Sequence, residues 1–432
     1  MPIQYLNDNW PSFNFFYKGK KISYIKGCDM VIFPFSTEKD DITYYQILHE
    51  RDHMNKLNFT LSGFYLDNMY SLYIHKVSEI LSQPRDNTQG QLDQLFKIRK
   101  IILIYTNNLR DVLETTAYTR VNEELLIARK VEAATITFKK IIRTECLHNS
   151  VTSQYLKINQ RMALHCSEGK LSSENAILLS CLPQTIALML PPPYPLSSEP
   201  VSTTSQYKEF LKKGGRNSKN ATEYNIADVE YGLSTNPFTN PKRMFELSVE
   251  FIEKNLDDLI EMESDQIVDI VIKNCLGIEG EEWISMLNKH LNRLFIIKKE
   301  YIRLIETNPP IIALLPNIGI IKLKSPDIDI SKTVHLLFFL LSNNAWPLNI
   351  INKWKTGKYS WITELCIENA PPELSKNGRE SLLFSFNLRL FFLSIGLSLE
   401  QKSSCCPMQD LLPYPLSNCP FKSTCGKFFE CR

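Results

Sequence analysis

Apolar residues that return every third or fourth position, on both sides of a proline-rich break, decide what this chain can fold into. Leu92, Leu95, Ile102, Tyr105, Leu109 and Val112 fall at intervals of three, four or seven and paint one face of a helix. Phe64 to Leu81 predicts a second, aromatic-rich helix, closed by Pro84 and the polar loop from Arg85 to Gly90. Ser172 or Ser173 can cap a helix through Ala176 to Leu190, with Pro183 expected to interrupt it. Beyond the break, Met244 to Met262 and Asp265 to Cys275 are periodic. Glu281 to Glu306 carries a stripe of Ile284, Leu287, Leu291, Leu294, Ile302 and Ile305, stopped by Pro309 and Pro310. Gly378 to Leu399 is apolar nearly all round, the pattern of a buried helix.

Two stretches depart from this period. Phe13 to Tyr17, Ile22 to Ile25 and Met30 to Phe35 are short apolar runs punctuated by Gly19, Gly27 and Pro34, and they predict strands. Pro191 to Ser205 is rich in Pro and Ser, and Gly214 to Asn225 is polar, so residues 191–240 read as an exposed linker. The expected fold is therefore mainly α with a small N-terminal β element, an α+β chain of two helical domains joined by a Pro-rich linker. Its boundaries fall at 1–40 for the β element, 41–190 and 241–400 for the helical domains, and 401–432 for a cysteine-rich tail.

Composition narrows the function classes. At 432 residues, 44% hydrophobic and 22% charged, the chain has the make-up of a folded protein with more than one core. Its 49 basic and 47 acidic side chains nearly cancel, so direct nucleic-acid binding is not indicated. No basic segment followed by an apolar core opens the sequence, which predicts a non-secreted, intracellular protein, nuclear or cytoplasmic. The most apolar stretch, Ser381 to Leu399, contains Asn387 and Arg389 and predicts no membrane span. In a reducing compartment the 11 cysteines are expected as thiols or metal ligands, not disulfides.

Three motifs compete to carry chemistry. His49-Glu50-Arg51-Asp52-His53 is a literal HExxH. Residues four apart share a helix face, so both imidazoles can hold one zinc while Glu50 activates its water. The five residues resemble the zincin metalloprotease signature, with charged Arg51 and Asp52 where that family carries uncharged residues. No HxxGxxH extension follows, and Glu79 is the conceivable third ligand. The competing reading makes Glu50, Arg51 and Asp52 a charged, solvated helix surface.

The tail supplies the second motif. Cys405, Cys406, Cys419, Cys425 and Cys431 crowd into a stretch too short to bury a core alone. Zinc wants four thiolate or imidazole ligands, usually in close pairs, and here five residues separate the last three cysteines. A structural zinc held by these cysteines is one reading, with Cys366, His335 or His290 able to complete the set. Thiols packed as small hydrophobes are a second, and redox or disulfide chemistry a third. The third motif is Pro191-Pro192-Pro193-Tyr194, a PPxY sequence of the type that WW domains take as a preformed polyproline II segment. A Pro-rich spacer is its plain alternative.

Rich in Ile, Asn and Lys, helical, near neutral and closed by Cys405, Cys406, Cys419, Cys425 and Cys431, the chain resembles herpesvirus accessory proteins that assist late-gene transcription. The resemblance implies a nuclear member of a multi-protein assembly; the absence of any CxxC pair is a departure from that group. With no complete catalytic constellation in the sequence, the leading expectation is a non-enzymatic interaction or scaffold protein whose partners are other proteins. A zinc metalloprotease built on His49, Glu50 and His53, and an adaptor recruiting WW domains through Pro191 to Tyr194, are its alternatives.

Overall fold

The computed structural model describes residues 9–11, 13–17, 20–25, 30–32, 49, 52–53, 56–57, 60–82, 88–117, 150–191, 203–212, 226–286, 348–349, 366–367, 392–407, 426 and 428–429. These residues are mostly helical. Eight helices are bounded among them: α1 (Leu61–Ser82), α2 (Gln89–Ala117), α3 (Ser150–Ser167), α4 (Ser173–Leu188), α5 (Thr204–Lys212), α6 (Ile226–Thr235), α7 (Pro241–Leu259) and α8 (Ser264–Leu276). Near the N-terminus β1 (Phe13–Tyr17) pairs antiparallel with β2 (Lys20–Ile25), and β2 with β3 (Met30–Ile32). No described helix is long and apolar enough to cross a membrane.

The chain divides into two compact units whose boundaries differ from the sequence expectation. One comprises Met1–Lys39, Phe64–Leu103 and Leu294–Arg432; the other comprises Asp40–Gly63 and Ile104–Arg293. Both are discontinuous, and local composition cannot reveal that, because a division inside a helix leaves no linker behind. The division falls within α2, which reads in sequence as one uninterrupted amphipathic stripe.

In the first unit the aromatic face of α1 is the core. Tyr65, Tyr70 and Tyr73 are fully buried, as are Leu95 and Ile102 of α2 and Leu393, Ile395 and Leu397 of a helical segment at 392–400. Trp10 meets Tyr73 edge-on at 4.8 Å and Tyr70 at 5.4 Å. A buried carboxylate fastens these pieces, because Glu400 accepts hydrogen bonds from the Tyr73 hydroxyl and from Arg99 Nε, both at 2.7 Å. Gly396 has a packing reason, since a Cβ there would lie 2.5 Å from the Tyr73 oxygen. The buried helix expected to end at Leu399 is present in its described part, where residues 392–399 are all buried.

In the second unit α7 packs across α3, α4 and α8. Its apolar stripe of Met244, Phe245, Val249, Ile252, Leu256 and Leu259 is buried. Asn240 caps it by accepting from the Arg243 N–H, and Pro241 opens its first turn, where the missing N–H costs nothing. Ser172 caps α4 as the sequence predicts, accepting from the Asn175 N–H. Pro183 does not interrupt α4, contrary to expectation. An interior proline costs about 3 kcal/mol; the burial of Leu179, Leu182, Ile186 and Leu188 around it, at about 1.5–3 kcal/mol per large side chain, outweighs that.

Residues 191–240 also differ from the expected linker. They carry α5 and α6, with Tyr207 and Val229 fully buried. The Tyr207 hydroxyl donates to the Met189 carbonyl, and Thr204 Oγ1 donates to the Leu276 carbonyl at the end of α8. Gly277, left-handed at φ 68°, closes α8, and a Cβ there would lie 3.0 Å from Thr204 Oγ1. Polar composition concealed a few well-placed anchors. The expected helix from Glu281 to Glu306 is described only over 281–286, and the hairpin expected near 311–323 lies outside the described residues.

Candidate metal centre

The HExxH segment is helical at His49, Asp52, His53, Lys56 and Leu57. Its histidines are not on a solvated surface. His49 is 3% exposed, His53 is 0% and Asp52 is 4%, so Asp52 is not on the charged outer face expected of it; Glu50 and Arg51 lie outside the described residues. The charge at Asp52 is answered inside the helix, where Lys56 Nζ pairs with its Oδ2 one turn on. Leu57 is buried in turn, and Gly63 at the start of α1 lies against its backbone so closely that a Cβ would overlap the Leu57 carbonyl. That approach seats the histidine-bearing turn.

Facing it is Glu114 in the last turn of α2, 65 residues from His49. His49 Nε2 lies 3.1 Å from Glu114 Oε2 and 3.1 Å from His53 Nε2, and His53 Nε2 lies 3.6 Å from the same carboxylate oxygen. The rings meet at 88° with centroids 4.7 Å apart, an arrangement that aims two Nε2 atoms at one point instead of stacking them. The carrier helix is fixed on several sides. The Tyr105 hydroxyl donates to Ser62 Oγ at 2.9 Å in the core, and Thr115 Oγ1 meets Thr152 Oγ1 at 2.6 Å. Asn108 Nδ2 donates to Asn240 Oδ1 at 3.1 Å, and Asp111 pairs with Lys242 at 2.5 Å.

Protonation follows from this crowding. Burial pushes the His53 imidazole down; the charge and hydrogen bond of Glu114 oppose burial, and the charge of His49 works with it, leaving the pKa lowered. Burial pushes the Glu114 carboxyl up, but the charge on His53, hydrogen bonds from His49 and His53 and the charge on His49 outweigh it. They hold the carboxyl well below the usual carboxylate range. Neutral imidazole and ionised carboxylate are the forms that bind a divalent metal.

The geometry fits one. Tetrahedral zinc with bonds of about 2.0–2.1 Å places its ligand atoms about 3.3 Å apart, and the three separations here are 3.1, 3.1 and 3.6 Å. Among the described residues this is the one group of three metal-capable side chains, with ligand atoms within 4.8 Å of one another. The Glu114 side chain is 23% exposed.

The other expected site residues are less well placed. Glu79, the conceivable third ligand, instead pairs with Lys76 at 2.6 Å, and Glu114 stands where it was expected. Glu50 lies outside the described residues. Of the tail cysteines, Cys405 is exposed and Cys406 buried, while Cys419, Cys425 and Cys431 lie outside the described residues. Pro191 is buried, and Pro192, Pro193 and Tyr194 lie outside them. Comparison with family models, with curated proteins and with solved structures gives no match.

Proposed function

We propose that the protein is a metal-dependent hydrolase of peptide or related amide bonds, with His49, His53 and Glu114 as the ligands of a zinc ion. The observation that carries this reading is the convergence of both HExxH imidazoles and the Glu114 carboxylate on one point. Three protein ligands, two histidines and a glutamate, are the set that leaves zinc one open position for chemistry. Bound there, zinc supplies Lewis acidity to a water and to a carbonyl oxygen. Glu50, next to His49 in sequence, is the group that takes the water's proton and returns it to the leaving amine. The buried histidines keep bulk water from their side of the site. The expectation of a non-enzymatic scaffold rested on a missing constellation, and His49, His53 and Glu114 provide its metal-binding part.

The test is cleavage of a quenched fluorescent peptide library by zinc-loaded protein. Cleavage should disappear in Glu50→Gln with zinc retained, and in Glu114→Gln with zinc lost. A fully zinc-loaded, folded protein that cleaves no peptide in the library would overturn the assignment.

A further inference from the structure

Neutral imidazoles at His49 and His53 bring no charge to a divalent ion, so the ion and Glu114 together keep one net positive charge. A second carboxylate lies buried beside these ligands. Asp52 is 4% exposed and adjoins His53 in the chain, which puts their Cα atoms about 3.8 Å apart. Its charge reaches the neighbouring ligand. It favours the protonated form of the His53 imidazole, against the burial that disfavours it. A negative charge that favours a proton on His53 favours a metal ion there for the same electrostatic reason.

Lys56 holds this carboxylate in place. Its Nζ pairs with Asp52 Oδ2, and the lysine side chain is itself only 14% exposed. Withdrawn from water, both charges act on their surroundings with little screening. As a stabilising device such a pair is poor, because desolvating the two partners offsets most of their attraction. Beside a metal centre it has a further effect. A bound cation is attracted by Asp52 and repelled by Lys56, so the two side chains shift metal affinity in opposite directions. A pair that served packing alone would shift it one way only, since losing either partner would loosen the same stretch.

Resting on the metal-dependent hydrolase reading, we propose that Asp52 is a supporting anion of the metal centre. Held beside His53 by Lys56, its buried charge strengthens the grip of His49, His53 and Glu114 on a divalent ion. The test is the zinc affinity of the full chain, measured by competition with a chromophoric chelator. Asp52→Asn keeps the shape and removes the charge, and should weaken zinc binding about tenfold. Lys56→Gln leaves the Asp52 charge unanswered and should tighten zinc binding, whereas Lys56→Arg should stay close to the wild type. The double variant, Asp52→Asn with Lys56→Gln, removes both charges and keeps most of their bulk. It should bind zinc more tightly than Asp52→Asn alone, and it keeps the test readable where Lys56→Gln folds poorly. Unchanged affinity in Asp52→Asn, weaker binding in both single neutral variants, or a double variant weaker than Asp52→Asn would overturn the role of Asp52 and leave the metal centre standing. A wild-type protein that binds no zinc would remove the hydrolase reading and this inference with it.

Discussion

Gly63→Ala is the substitution in which the packing account and the site account meet. A Cβ on Gly63 would overlap the Leu57 backbone; the three nearest atoms are its carbonyl oxygen, its carbonyl carbon and its Cα, and even the Cα would be 2.8 Å away. Real Cβ contacts do not come under 3.0 Å, and no flexible side chain is available to yield. The two backbone segments must part instead. Overpacking of this kind costs about 1–3 kcal/mol, and a backbone obstacle puts the cost near the upper end. Leu57 lies four residues beyond His53 in the chain, so its displacement is expected to disturb the imidazole. Metal–ligand distances tolerate about 0.2 Å, and a shift of about 1 Å would lower zinc affinity at least tenfold. Urea denaturation of metal-free protein gives the first number, and zinc titration against a chromophoric chelator the second. Gly90→Ala is the control, since a methyl there meets nothing within 4 Å; it should be neutral or stabilise by about 0.5–1 kcal/mol. Unchanged stability and unchanged zinc affinity in Gly63→Ala would refute the reasoning that the Leu57–Gly63 approach seats the site.

Other expectations can be checked alongside. Glu400→Gln leaves Arg99 and Tyr73 facing a neutral amide in a buried position, and should destabilise the first unit by about 3 kcal/mol in denaturant melts; a loss under 0.5 kcal/mol would contradict its role as fastener. Ser172→Ala removes the cap that accepts from Asn175 and should cost about 1 kcal/mol, with Ser172→Asp retaining most of the stability. Metal-free protein should lose stability on acidification. The unfolded chain binds protons more readily than the folded one at both His53 and Glu114, so the loss begins below about pH 6.5 with the histidine and steepens below about pH 4.3 with the carboxylate. Glu114→Gln should flatten the lower part of that curve, and an unaltered curve would count against an ionised, imidazole-bound Glu114.

Helices were readable because their signal is local. The stripe through Leu95, Ile102, Tyr105, Leu109 and Val112 is buried as its period requires, and Ser172 caps where its position demands. The division into units was not readable, because it runs through α2 and gathers segments far apart in sequence. The HExxH pattern stood in plain view, but Arg51 and Asp52 made it look like solvated surface. An ion pair within the helix, Lys56 to Asp52, lets a carboxylate be buried beside the histidines, and nothing in the spacing of the motif announces that. Glu114 left no sequence signal. A glutamate on the polar strip of an amphipathic helix is ordinary, and only the tertiary fold brings it within 3.1 Å of His49. Residues 191–240 misled in the other direction, since a Pro- and Ser-rich composition hid the buried Tyr207 and Val229.

The central claim is that His49, His53 and Glu114 hold a metal, and elemental analysis of purified, zinc-dialysed protein tests it most directly. The account predicts at least one equivalent of zinc per chain that survives the combined Cys419→Ser and Cys431→Ser substitutions. That equivalent should be lost in His53→Ala and in Glu114→Gln while both variants stay folded by circular dichroism. A wild-type protein without zinc, or zinc that disappears with the tail cysteines and persists in His53→Ala, would contradict it.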